Sequence, residues 1–137
     1  PHQQGNEDQG WIAHFMKMAQ AGRGVSVFGD GRQVRDALFV GDLVDALEAA
    51  YARRKKAAGR IYNVGGGPRS TLSLRELLAW IAERSGRALP VTWGPWRPGD
   101  QKVYVSDVRL AARELGWRPK TTLDAGLGRL WTALGGA

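Results

Sequence analysis

The stretch Val25–Ala50, VSVFGDGRQVRDALFVGDLVDALEAA, decides how the rest of the chain reads. Val25-Ser26-Val27-Phe28 alternates as a short strand and breaks at Gly29-Asp30-Gly31, where glycine supplies the positive φ of a tight turn. Ala37-Leu38-Phe39-Val40 reads as a second strand, entered through Arg35-Asp36. Gly41-Asp42 then opens a helix, with Asp42 as N-cap and Leu43, Leu47 and Ala50 on one face. Arg32 and Arg35 flank the glycine turn. Guanidinium groups grip phosphate oxygens bidentately, so this arrangement suits a phosphate-bearing ligand. A β-hairpin with solvated arginines accounts for the same residues equally well.

Upstream, PHQQGNEDQG (residues 1–10) reads as a polar loop, and Trp11 to Ala21 as an amphipathic helix stopped by Gly22. Its apolar face carries Trp11, Phe15 and Met18, a stripe of the kind that fills cores. Downstream, Ile61-Tyr62-Asn63-Val64 is a short apolar strand closed by Gly65-Gly66-Gly67-Pro68. That triplet is not a phosphate loop: neither nucleotide-binding glycine pattern fits it, and Pro68 removes an amide that an anion nest needs. Ser73 or Thr71 caps the next helix, with Glu76 placed to complete a capping box from Ser73. Leu74, Leu77, Leu78 and Ile81 follow at helical spacing, and the helix ends near Gly86. Val91-Thr92-Trp93 and Val103-Tyr104-Val105 are strands around the stiff loop Gly94–Asp100, GPWRPGD. Ser106 or Asp107 caps a helix over 108–115, and Thr121 or Thr122 begins a last one, Leu123 to Leu134. Strands and helices interleave, which is an α/β pattern.

The 137 residues amount to one ordinary domain or a large piece of one. The chain starts at proline, inside what reads as a connection. No run approaches the roughly 18 apolar residues that span a bilayer, and no signal-peptide pattern opens the chain. There is no cysteine, and His2 and His14 alone do not make a zinc centre. These features point to a soluble cytoplasmic protein with no membrane partner. The net charge of +7 raises a nucleic-acid surface, with six tryptophans to stack on bases. Against it, the one basic run, Arg53-Arg54-Lys55-Lys56, lies at a helix C-terminus, where cations complement the dipole. Trp11, Trp80 and Trp131 fall on apolar helix faces.

Two constellations could carry chemistry. Tyr51 and Lys55 stand one helical turn apart, spacing that lets an ammonium depress a phenol's pKa, but this helix end is already crowded with cations. Arg97 and Asp100 share the Pro-stiffened loop, where an arginine can bind phosphate and a carboxylate can accept from a ribose hydroxyl. A surface Arg–Asp pair is the plainer reading. Arg97 with Arg35 makes a plausible pyrophosphate clamp.

The strings VFGDGRQVRDALFVGDLVDAL, IYNVGGG…SLRELLAWI, RPGDQKVYVSD and ARELGWRPKTTLDAGL, in that order, resemble the C-terminal half of extended short-chain dehydrogenase/reductases. Within that superfamily they resemble the NAD-dependent nucleotide-sugar epimerases and dehydratases. The resemblance implies that residues 1–137 are the substrate-binding lobe plus the last strand and helix elements of a Rossmann-like fold. It implies a nucleotide-diphosphate sugar as ligand, a CDP-sugar favoured. Arg35 and Arg97 would contact the diphosphate, Asp100 a ribose hydroxyl, and Gln33 the ribose or sugar. Val27 and Phe28 would line the nucleobase pocket, with Gly10 and Trp11 near the nucleotide. The complete enzyme would use NAD and form a homo-oligomer. The family's NAD loop and its catalytic Ser/Thr, Tyr and Lys lie upstream of Pro1, so the chain by itself is expected to bind no NAD and to be inactive.

Overall fold

A computed structural model describes residues 10–136, which divide into two compact units. The first comprises 10–34, Leu72–Lys102 and 127–136, and the second Arg35–Thr71 and Val103–Gly126.

In the first unit, α1 (Trp11–Gln20), β1 (Val25–Phe28), α4 (Leu74–Ser85), β4 (Val91–Gly94) and α6 (Leu123–Ala133, from Leu127 onward) surround an apolar core. β1 pairs with β4 in parallel, from Val25 opposite Val91 to Phe28 opposite Gly94. The hairpin reading is therefore overturned: the strand after the glycine turn is not β1's partner. Phe15, Met16 and Ala19 of α1 are buried, with Val25, Val27, Leu74, Leu77, Ile81, Leu127 and Trp131. Each such aliphatic or aromatic side chain stabilises the fold by about 1.5–3 kcal/mol. Trp11 and Met18 are only half-buried, so the inner face of α1 is rotated from the expected stripe. Trp131 is in the core as expected, and the edge of Trp80 meets it at 6.1 Å between centroids. The Gln20 amide donates to the Trp131 carbonyl at 3.0 Å, tying α1 to α6.

The start of α4 is as the sequence requires. Ser73 accepts from the Glu76 amide at 3.2 Å, and the Glu76 carboxylate accepts from the Ser73 amide at 2.7 Å. The Ser73 hydroxyl also donates to that carboxylate at 2.7 Å, and this bond first, then the one from the Ser73 amide, holds the Glu76 carboxyl below its ordinary pKa. Glycines at positive φ end α1, α4 and α5, at 22, 86 and 116.

The second unit carries β2 (Val34–Asp36, from Arg35 onward), α2 (Val40–Ala52), α3 (Arg54–Ala57), β5 (Val103–Tyr104) and α5 (Arg109–Leu115), with β2 beside β5, and the division between the units falls within β3 (Thr71–Ser73), after Thr71. The strand expected over Ala37–Val40 is displaced to Val34–Asp36. Ala37 closes onto Ser70, its amide donating to that carbonyl at 2.8 Å, and Val40 is taken into the first turn of α2. Phe39, not Asp42, is the N-cap. Asp42 is buried and accepts instead from the Thr121 amide at 3.0 Å.

α2 packs through Ala46 against Ala111, Leu115 and Trp117, with Ala49 and Ala50 alongside. Leu43 and Leu47, expected inside, face out, Leu47 being 63% exposed. The helix is apolar on two sides, and its alanine side lets α5 approach closely. The basic run does not extend α2: it forms its own turn, α3. Ile61–Val64 has no sheet partner among the described residues, and Ile61 is 89% exposed while Tyr62 packs on the core. The Tyr62 hydroxyl donates to Glu114 at 2.8 Å, and Arg60 pairs with the same carboxylate at 2.7 Å.

Candidate functional site

The glycine turn and the Pro-stiffened loop meet within the first unit, because parallel pairing of β1 with β4 sets their C-terminal ends side by side. The amide of Gly29 donates to the Gly94 carbonyl at 3.0 Å, continuing the ladder one step past the strands. Phe28 rests against Gly94: a Cβ there would sit 3.0 Å from the ring. The guanidinium of Arg97 lies over the same ring, 3.9 Å from its centroid. Trp96 lies flat on Gly29, where a Cβ would be 2.6–2.8 Å from three atoms of the indole. Lys102 stands over Trp96 at 5.7 Å, and Arg75 over Trp93 at 5.2 Å, with Gly31 beneath that indole. Phe28 and Trp93 sit at successive register positions, Trp93 opposite Val27 and Phe28 opposite Gly94, so their cation–aromatic pairs stand on opposite faces of the two strands. Arg75 also donates to the Asp30 carbonyl at 2.6 Å, bracing the turn.

Gln33 has the most telling environment. It is 7% exposed, and its Nε2 donates to the Phe28 carbonyl at 2.7 Å. That bond fixes the amide's orientation, because a flipped amide would set oxygen against oxygen. Its Oε1 is buried and has no hydrogen-bond partner among the described residues. A buried acceptor left unpaired costs about 1–3 kcal/mol.

The first unit therefore contains Gly10, Trp11, Val27, Phe28, Gln33, Arg97 and Asp100, seven of the eight residues expected to bind substrate. Arg35 lies in β2 and belongs to the second unit. Val27 is buried in β1. Asp100 closes a turn onto Arg97, its amide donating to that carbonyl at 3.2 Å. Gly10 is left-handed at φ 70° and precedes α1, where the half-buried Trp11 meets the Phe15 ring edge-on. Trp93, Trp96, Lys102 and Arg75 were not singled out from the sequence. The available signal was Trp96 beside Arg97 in a loop stiffened by prolines.

Tyr51 is exposed, with the Arg54 guanidinium 5.1 Å from its ring centroid. The buried triplet Gly65–Gly67 is consumed by packing. A Cβ on Gly65 would strike Ser106, one on Gly66 would strike the Ala37 carbonyl, and the Gly67 amide donates to Asp36 at 2.8 Å.

The sequence model of the GDP-mannose 4,6-dehydratase family matches residues 1–130. The chain belongs to that family. Its members here are nucleotide-sugar epimerases and dehydratases. The chain is 31% identical to CDP-paratose 2-epimerase of Salmonella typhi, covering 92% of this chain and 39% of that protein. It is 37% identical to dTDP-glucose 4,6-dehydratase of Streptomyces griseus, over 85% of this chain and 34% of that one. Among solved structures, UDP-glucose 4-epimerase of Thermotoga maritima with UDP-glucose superposes with a TM-score of 0.80 at 31% identity, over 90% of this chain and 38% of that one. The Brucella ovis UDP-glucose 4-epimerase with NAD gives 0.81 at 28% identity, over 94% and 42%. The chain has the mixed α/β fold of these Rossmann-like enzymes and spans about 40% of the length of its relatives. The Brucella ovis enzyme holds NAD, whereas in this chain neither glycine turn weighed above for phosphate is open to a dinucleotide. Gly65–Gly67 is buried, and Gly29 and Gly31 lie under tryptophans. No helix among the described residues is long and apolar enough to cross a membrane.

Proposed function

We propose that this chain binds the nucleoside diphosphate part of a nucleotide sugar, as the substrate-binding portion of an epimerase like the CDP-paratose 2-epimerase it resembles. The observation that carries the reading is Gln33, an oriented and buried amide whose acceptor lacks a donor, bonded to the backbone of the residue that presents an aromatic ring. A nucleoside brings what this corner lacks: a flat base for the Phe28 ring and an N–H or O–H for Gln33 Oε1. Arg97 takes the diphosphate through charge-assisted bonds, and Asp100 accepts from a ribose hydroxyl. Val27 backs the base from the core, and Gly10 and Trp11 border the nucleotide at the start of α1. A CDP-sugar is the favoured ligand. Epimerisation is the proposed activity of the complete enzyme, a cytoplasmic homo-oligomer. No step of it is assigned to this chain, which alone is proposed to bind and not to turn over.

Calorimetric titration with CDP, UDP and dTDP, with a single-stranded oligonucleotide as control, tests the reading. Tightest binding of CDP is expected, with none of the oligonucleotide. In Gln33→Met, which keeps the volume but not the acceptor, affinity should fall by about 1–3 kcal/mol. Absence of binding to all three diphosphates, or salt-sensitive binding of the oligonucleotide alone, would overturn it.

A further inference from the structure

The same corner holds a feature that nucleotide binding alone does not require. Arg97 places its guanidinium 3.9 Å from the Phe28 centroid, in contact with the ring face on which a base would stack. A planar cation on an aromatic face and a planar base on that face exclude each other. Gln33 is anchored through Nε2 to the carbonyl of the same Phe28, and its Oε1 is buried. Arg97 is half-buried and sits in the loop 95–100, whose Gly99 has a left-handed φ of 77°.

We propose that Arg97 is a specificity-determining place-holder: it occupies the base-stacking face of Phe28 until a diphosphate draws it away. The inference rests on the nucleotide reading and adds the discrimination to it. A nucleoside without phosphate must displace the guanidinium and offers it nothing in return, since stacking on Phe28 replaces one ring contact by another. A nucleoside diphosphate displaces the same group and immediately bonds it, two oxygens to one guanidinium fork. The slot thus favours the ligand that carries the anion and rejects nucleosides that share its base.

The two roles of Arg97 have opposite signs in one variant, and that makes them separable. Affinities of the 137-residue chain for cytidine and CDP, uridine and UDP, and thymidine and dTDP are measured by NMR titration and calorimetry, for the native chain and for Arg97→Ala and Arg97→Lys. For the base that binds, Arg97→Ala should weaken the diphosphate at least tenfold and tighten the nucleoside by about three- to tenfold, the worth of a cation–aromatic contact. Arg97→Lys retains a cation for the ring without the fork, so it should leave the nucleoside unchanged and weaken the diphosphate. A nucleoside that binds Arg97→Ala no better than the native chain, while the diphosphate weakens, makes Arg97 a phosphate contact only and overturns the place-holder. Failure of every diphosphate to bind the native chain overturns the nucleotide reading itself. Circular dichroism confirms that each variant is folded.

Discussion

Replacing Gly29 by alanine tests whether the turn and the Pro-stiffened loop are locked together as described. Gly29 has φ +84°, and its Cβ would lie 2.6–2.8 Å from Cδ2, Cε2 and Cε3 of Trp96. Two costs add. A left-handed backbone disfavours an L side chain by about 1–2 kcal/mol. The methyl also meets the rigid plane of an indole rather than the yielding end of a flexible chain, and such overpacking costs about 1–3 kcal/mol. The expected destabilisation is therefore about 2–5 kcal/mol. Gly86→Ala is the control, because Gly86 has φ +70° and nothing within 4 Å of its Cβ. It should lose about 1–2 kcal/mol, the backbone cost alone. Urea unfolding followed by far-ultraviolet circular dichroism measures both. Equal destabilisation of the two variants would refute the close approach of Trp96. Since Trp96 adjoins Arg97, Gly29→Ala should also weaken CDP binding.

Further outcomes follow from other parts of the fold. Ser73→Ala removes the hydroxyl that caps α4 and should destabilise by about 1 kcal/mol in urea at pH 6. That deficit has a definite pH dependence. The native fold lowers the Glu76 pKa, so the ionised carboxylate stabilises it above the unfolded value of 4.5 and less as pH falls. The gap between native and Ser73→Ala chains should narrow between pH 6 and pH ~3, and a constant gap would count against the box. Trp117 is 3% exposed and donates from Nε1 to the Asp42 carbonyl at 2.9 Å. Trp117→Phe should lose about 1–3 kcal/mol in urea, and a loss under half a unit would show that the bond contributes nothing. Leu47→Ser, on the exposed side of α2, should change the stability of this chain by less than ~0.5 kcal/mol, in contrast to Leu77→Ala in the core, at about 2–5 kcal/mol.

The amino-acid sequence by itself determined the local features of this protein. The capping box at Ser73 and Glu76, the glycine stops after three helices and the α/β alternation each depend on residues within a few positions of one another. The aliphatic pattern of α4 was legible for the same reason: one side of that helix is polar. Trp131 was legible as core, and Gly65–Gly67 as no phosphate loop, because Pro68 stands beside it. The motif strings also carried the family, and the family model agrees with them.

Tertiary structure decided what local pattern leaves open. Parallel pairing joins β1 to a strand more than sixty residues away, and no short-range signal says which strand that is. In α2 both sides are apolar, so periodicity could not tell Leu43 and Leu47 from Ala46; the close approach of α5 chose the alanine. Asp42 left its expected capping role because Thr121, far along the chain, offers it an amide. Arg97 and Phe28 were each legible as single residues, but the guanidinium lying on the ring was not. Nor was the orphaned acceptor of Gln33, which exists only because folding removes it from water while giving its amide nitrogen, and not its oxygen, a partner.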